Sequence, residues 1–348
     1  MQKETITPIK ASGASYELGY KHGVLAKKRI QKLLAISLEA VKKRKDNVTD
    51  ERIYSGSKKF LPYLDKYCPH LLKELKGISD GAEISFNAAL FLQVRTEFLL
   101  GNAACSAFAI SSQGTLNGEV IAGQNWDFYL PELNELIDVI QLEPDGLPKI
   151  LMFGFVGVIG YIGLNSEGLA HFTNQLLCEN WRIALPHYFL KRMLFEKKNI
   201  KECVKLVSKT EISSSANYVL ADRYGKILDI EIIPGGYKSI EPTKGFIAHT
   251  NHFLAREFKP LERYLNELPD SPIRLKRLIQ LIRKNYGTIN VNVAKKILAD
   301  HYGFPTSICR HSDNSLRTSV SIITQPERGL AHICFGNPCE SKFITYRV

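Results

Sequence analysis

The apolar residues change their spacing near Gly101-Asn102, and that change constrains the fold more than any other feature of the chain. Before it, apolar residues recur at helical intervals. Leu18, Val24, Leu25, Ile30, Leu33, Leu34, Ile36, Leu38 and Val41 predict one long amphipathic helix from Tyr16 to about Lys45. Further helical patterns cover roughly 51–78 and, after Ser85 as N-cap, Phe86 to Leu100, with Gly101-Asn102 as the stop. From Cys105 onward the period is two. Cys105–Ile110 and Val120–Gln124 flank the turn signal Leu116-Asn117-Gly118 and read as a hairpin. Strands are expected at about 136–142, 149–156, 158–164 and 168–174, helices at 184–196 and 199–209, and strands at 216–221, 227–233 and 245–249. Helices at 272–285 and 290–300 precede final strands at 318–324, 329–335 and 342–347. Hairpins clustered between helix pairs predict an α+β chain with two antiparallel sheets covered by helices, rather than βαβ units.

Composition narrows the function classes. With 348 residues, 45% of them hydrophobic, the chain can bury a full core. The opening Met1-Gln2-Lys3-Glu4-Thr5 is charged and no signal-peptide core follows. The longest apolar run, Ile150 to Leu164, is shorter than the roughly 20 residues of a membrane span, and its four glycines suit packed strands. Seven singly scattered cysteines do not form a disulfide framework, so a reducing cytoplasm is expected. His332-x-Cys334-x4-Cys339 lacks a second cluster to complete four ligands, so neither a metal nor a cofactor is expected. The formal charge of +11 is spread along amphipathic stretches such as Lys42-Lys43-Arg44-Lys45, without the aromatic-basic stripe that single-stranded nucleic acid requires. Neither a nucleic-acid nor a membrane partner is expected, while homo-oligomers are compatible with the sequence.

Cys105 heads the first strand between Ala104 and Ser106. It reads either as a small buried hydrophobe or as a nucleophile that must find its base elsewhere, since no papain-like or caspase-like signature surrounds it. Cutting the Ala104-Cys105 bond supplies a base within the residue itself. The freed α-amine titrates at about 7.7–8.0, so a usable fraction accepts the thiol proton at neutral pH.

The residues that follow that logic resemble the isopenicillin-N acyltransferase family, also called the acyl-coenzyme A:6-aminopenicillanic acid acyltransferase-like or C45 peptidase family. This is a group of N-terminal nucleophile hydrolases related to choloylglycine hydrolases. The carriers, in order, are Ala14–Gly23 (ASYELGYKHG), Arg95-Thr96-Glu97-Phe98, Cys105, Gly123–Phe128 (GQNWDF), Gly163–Ala170 (GLNSEGLA), His249-Thr250-Asn251-His252 and Ser307-Ile308-Cys309-Arg310. The resemblance implies a four-layer αββα sandwich and a precursor that cleaves itself between Ala104 and Cys105. Residues 1–104 then form a helical small chain and 105–348 a sheet-rich large chain of one αββα unit. It implies Cys105 as nucleophile, Asn251 as oxyanion-hole donor, Asp127 as a holder of the amine-bearing part of the substrate, and Arg310 as the partner of a substrate carboxylate. Asn174 is expected to face the same cleft, as the equivalent region does in choloylglycine hydrolases. Ala104 stands where the penicillin-forming enzyme has glycine, and the hairpin between Cys105 and Asp127 is longer. The activity implied is hydrolysis or acyl transfer at a linear amide bond of a small N-acyl compound or at an acyl thioester. The competing reading is an uncleaved binding protein on the same scaffold with Cys105 packed in the core.

Overall fold

The change of spacing is the passage from helix to sheet in the computed structural model, which describes residues 7–45, 47–99, 103–128, 131–311 and 316–348. The charged opening residues and the helix stop at Gly101-Asn102 lie outside the described residues. The helices of the first hundred residues are α1 (Ser15–Arg44), α2 (Asp50–Lys58), α3 (Leu61–Tyr67), α4 (Pro69–Gly81) and α5 (Phe86–Leu99). The stretch 51–78, expected as continuous helix, is thus broken. Prolines in the first turns of α3 and α4 supply the reason, since proline donates no backbone hydrogen bond to a preceding turn.

Two sheets follow. One comprises β2 (Ala104–Ile110), β3 (Ile121–Asp127), β11 (Phe246–His249), β12 (Thr318–Gln325), β13 (Leu330–Phe335) and β14 (Phe343–Arg347), in the order β11-β2-β3-β12-β13-β14 and antiparallel throughout. The other comprises β1 (Ile9–Gly13), β4 (Ile137–Pro144), β5 (Ile150–Phe155), β6 (Ile162–Asn165), β7 (Leu169–Gln175), β8 (Ala216–Asp222), β9 (Ile227–Ile233) and β10 (Gly236–Ile240), in chain order from edge to edge except that β1 leads directly to β4. The remaining helices are α6 (Pro131–Asn134), α7 (His187–Leu194), α8 (Ile200–Val207), α9 (Ser271–Lys284) and α10 (Val291–Leu298).

The larger sheet corrects the sequence reading in three places. β1 was not expected, and it pairs parallel to β4, with Ile9 opposite Ile140, because no hairpin ties the two strands and fixes their direction. β10 is a partly exposed edge strand with little apolar signal. The strand expected over 158–164 begins only at Ile162. Gly157 is in the left-handed region at φ 76°, and the Gln93 side chain donates to its carbonyl and accepts from Ile159 N, replacing a ladder.

The sheets face each other, with β2 against β7 and β8; α9 and α10 cover one outer face and α1, α7 and α8 the other. This is a four-layer αββα arrangement. Lying between layers, β2 and β3 are buried along their whole length. Gly19 and Gly23 of α1 meet Gly77 and Gly81 of α4, and a Cβ on Gly19 would stand 1.9 Å from the Glu74 carbonyl oxygen. Between these helices the backbones themselves touch. His22 accepts a hydrogen bond from Gly157 N at 3.0 Å, and burial holds its ring down at about 4, so it is a neutral packing residue.

Candidate active site

Cys105 is the second residue of β2, 2% exposed, opposite Trp126 in the register with β3. Its amide N–H donates to Asn251 Oδ1 at 2.8 Å, and its carbonyl accepts from Arg274 Nη1 at 2.7 Å. Arg274 Nη2 also donates to Asn251 Oδ1, at 3.1 Å. Two donors therefore fix which end of the Asn251 carboxamide is oxygen. The opposite end, Nδ2, donates to the Gln175 carbonyl at 3.1 Å. Burial, and secondarily the charge of Asp127, pushes the Cys105 thiol up to about 12, so in the intact chain it is a thiol and not a thiolate.

Asp127 closes β3 opposite Ala104, on the residue side of the bond expected to break. It is fully buried; Oδ1 accepts from Thr318 Oγ1 at 2.7 Å, and Oδ2 lies 3.9 Å from Arg310 Nε. Burial raises its carboxyl to about 6 against the pull of Arg310 and Arg274. Arg310, 1% exposed, also pairs with Asp270, which accepts from Arg274 Nε at 2.6 Å. A continuous chain of charge thus runs Asp127–Arg310–Asp270–Arg274 and ends on Cys105 and Asn251. Tyr264 adds a clamp before the bond, since its hydroxyl donates to the Ala103 carbonyl at 2.8 Å and accepts from the Ala103 amide at 3.2 Å.

A cavity of about 420 Å³ opens at Cys105. Its walls are aromatic: Trp126, Phe128, Phe155, Tyr161 and Tyr188, with Trp126 stacked on Phe128 at 5.3 Å. Among its charged lining residues, Arg95, Glu97 and Lys191 are at least nine-tenths buried. The Arg95 guanidinium lies 4.4 Å from the Phe155 ring centroid, and Lys191 Nζ lies 4.6 Å from that of Tyr161. Burial raises the Glu97 carboxyl to about 7 and lowers the Lys191 amine to about 8.

Of the residues expected at the site, Cys105, Ala104, Asp127, Asn251 and Arg310 come together, and only Cys105 among them lines the cavity. Asn174 stands apart from the cavity. Alternation along β7 gives Thr173 and Gln175 to the cavity wall and leaves Asn174 Nδ2 donating to the His249 carbonyl at 3.3 Å. In the intact chain Arg310 faces two protein carboxylates rather than the cavity.

Sequence reasoning missed Arg274 and Lys191. Arg274 shares a helical face with Leu278 and Ile282, and a charge inside an apolar stripe was the available signal. Lys191 sits on α7, whose residues are buried on every side, and nothing in its spacing marks it.

The family model described as "AAT: Acyl-coenzyme A:6-aminopenicillanic acid acyl-transferase" matches residues 115–340. The acyl-coenzyme A:6-aminopenicillanic-acid-acyltransferase 40 kDa form of Emericella nidulans is 31% identical over 310 residues, 87% of this chain and 84% of that one. The chain belongs to the acyl-coenzyme A:6-aminopenicillanic acid acyl-transferase family. Another relative of this chain, an uncharacterised protein of Archaeoglobus fulgidus, is 20% identical over 345 residues, 82% of this chain and 56% of that one. Solved structures similar to it include a conjugated bile acid hydrolase from Clostridium perfringens, with TM-score 0.49, 13% identity and coverage of 70% of this chain and 97% of that one. Penicillin V acylase from Agrobacterium tumefaciens has TM-score 0.44, 12% identity and coverage of 66% and 82%. No helix among the described residues is long and apolar enough to cross a membrane.

Proposed function

We propose that the chain is a self-processing N-terminal cysteine amidohydrolase or acyltransferase that opens a linear amide bond of a small N-acyl compound, or an acyl thioester, through an acyl-enzyme on Cys105. The observation that carries this reading is the double placement of Cys105: it lines an aromatic cavity, while its backbone nitrogen is held at 2.8 Å by Asn251. A packed core cysteine needs neither.

Processing comes first. The Cys105 sulfur attacks the Ala104 carbonyl carbon, the C–N bond of Ala104-Cys105 breaks, and the thiol proton passes to the released nitrogen. Water hydrolyses the resulting thioester, leaving a carboxylate on Ala104 and a free thiol and α-amine on Cys105. Residues 1–104 and 105–348 then remain together as one αββα unit. Asp127, buried opposite Ala104, gains the new α-ammonium as a neighbour. In turnover the amine takes the thiol proton, sulfur attacks the substrate carbonyl, and the same proton returns to the departing amine. Asn251, through Nδ2, and a backbone N–H stabilise the tetrahedral oxyanion, and water or an acceptor amine resolves the thioester. Arg310 holds Asp127 in place, and it grips a substrate carboxylate only if processing frees it from Asp270. The cavity walls favour an acyl group with an apolar body, and Arg95 and Lys191 favour a polar or anionic end. Seven thiols without disulfides support residence in a reducing compartment such as the cytoplasm.

The test is acyl trapping. N-acyl amino acids, penicillins and bile-salt conjugates are incubated with the protein, quenched in acid and read by peptide mass spectrometry. An acyl mass on the peptide beginning at Cys105, absent from Cys105→Ala, is the expected result. No adduct and no turnover with any acyl class returns the chain to the reading of a binding protein on this scaffold.

A further inference from the structure

His301 lies just after α10, Cys309 and His311 flank Arg310, and Cys339 lies in the turn between β13 and β14. One ligand atom from each falls within 4.8 Å of the others. We propose that these four residues form a structural zinc site that ties the segment carrying Arg310 to the β13–β14 turn.

The edge lengths carry the argument. A tetrahedral zinc with sulfur at about 2.3 Å and nitrogen at about 2.05 Å requires edges of about 3.8 Å between two sulfurs, about 3.6 Å between sulfur and nitrogen, and about 3.3 Å between two nitrogens. The Cys309 and Cys339 sulfurs are 3.6 Å apart, and His301 Nε2 and His311 Nε2 are 3.2 Å apart. His311 Nε2 is 3.5 Å from the Cys339 sulfur and 3.8 Å from that of Cys309. Two imidazoles do not approach edge to edge through their Nε2 atoms without a proton or a cation between them, and a set of two thiols and two imidazoles selects zinc among abundant divalent ions. Four protein ligands close the coordination sphere, which makes the site structural rather than catalytic.

Outer contacts fit the same reading. Asn337 Nδ2 donates to the Cys309 sulfur at 3.4 Å and to the Arg310 carbonyl at 2.8 Å, and Glu340 Oε1 lies 4.0 Å from His311 Nδ1. Binding displaces two thiol protons to solvent as the sulfurs become thiolates. The consequence reaches the candidate active site, because Arg310 sits between two ligands, its amide donates to Thr318 Oγ1, and that hydroxyl donates to Asp127. His332 and Cys334, the pair that spacing had joined to Cys339, take no part. The His332 ring nitrogens meet Thr345 and Gln325 instead. The spacing His301-x7-Cys309-x-His311-x27-Cys339 matches no familiar pattern, so only the fold assembles it.

Metal content tests the proposal without recourse to activity. The full chain, expressed with zinc in the medium and dialysed, is measured by inductively coupled plasma mass spectrometry and then reconstituted with cobalt(II). The expected result is one zinc per chain, with thiolate-to-cobalt charge-transfer absorption after exchange, and a loss of at least about tenfold in retained zinc for Cys339→Ser and for His301→Asn. Cys334→Ser keeps its metal. Cys339 and His301 are exposed, so these variants are the ones to use, with circular dichroism checking their fold. A wild-type chain without zinc and without cobalt absorption overturns the site. So does a Cys309–Cys339 disulfide in the native protein, or zinc retained by a folded Cys339→Ser, His301→Asn double variant.

Discussion

Asn251 holds two donors on one oxygen, Cys105 N and Arg274 Nη2, so it fixes the nitrogen that the proposed processing would turn into the base. Replacing it removes both that acceptor and the proposed oxyanion donor. Asn251→Ala is expected to lower kcat by about 10² to 10³ per processed active site, with a smaller change in KM, measured by burst titration and steady-state rates. Glu97 makes a different prediction. Its carboxyl titrates near 7 in the folded chain against an ordinary 4.5, so between these values the unfolded chain has lost the proton and the folded chain keeps it. Stability from this residue is therefore lost as pH rises from about 4.5 to about 7. Glu97→Gln should gain on wild type across that window by up to about 3 kcal/mol, read from denaturant midpoints at several pH values. Equal slopes for both proteins would contradict the burial of this carboxyl. At this scale the sequence made Cys105, Asp127, Asn251 and Arg310 legible through motifs. Lys191 was invisible because a lysine on a helix ordinarily reads as a solvated face, and it packs against the aromatic rings of Tyr161, just before β6, and Tyr188 of α7.

The α1–α4 seam shows what the glycines of the ASYELGYKHG stretch do. Gly19 and Gly77 bring two helix backbones so close that an added Cβ would meet carbonyl oxygens at 1.9 Å and 2.1 Å. Backbone cannot swing aside as a flexible side chain does. Gly19→Val is expected to destabilise the fold by about 3 kcal/mol or more, seen as a fall in Tm, whereas the same change at Gly118, where nothing crowds the Cβ position, costs chiefly its backbone strain at φ 71°. Elements with a strong period, such as α1, α9 and the β12–β13–β14 run, were legible within a few residues. β1 and β10 were not: each is five residues long at a sheet edge, β1 alternates but offers only Ile9 and Ala11 to the core, and β10 is exposed or half-buried throughout. The first half of the strand expected over 158–164 failed for a tertiary reason, the Gln93 side chain that takes over its hydrogen bonds.

For the whole molecule, the small chain proposed to end at Ala104 contributes a strand to one sheet and α1 to its cover, so cleavage does not release it. The two fragments are expected to co-elute under native conditions and to separate only in denaturant. Two sheets covered by helices were legible from the order of hairpins and helix pairs, and their αββα stacking from the family resemblance, whereas the parallel pairing of β1 with β4 depends on a contact across more than a hundred residues that no local pattern records. The convergence of His301, Cys309, His311 and Cys339 was hidden for the same reason.

The account depends on the bond between Ala104 and Cys105, and intact mass together with N-terminal sequencing of the purified chain tests it most directly. The account predicts two species, the larger starting at Cys105, and a single uncut chain for Cys105→Ala. A wild-type protein that stays whole, with the Cys105 thiol unreactive toward iodoacetamide in the native state, would contradict it.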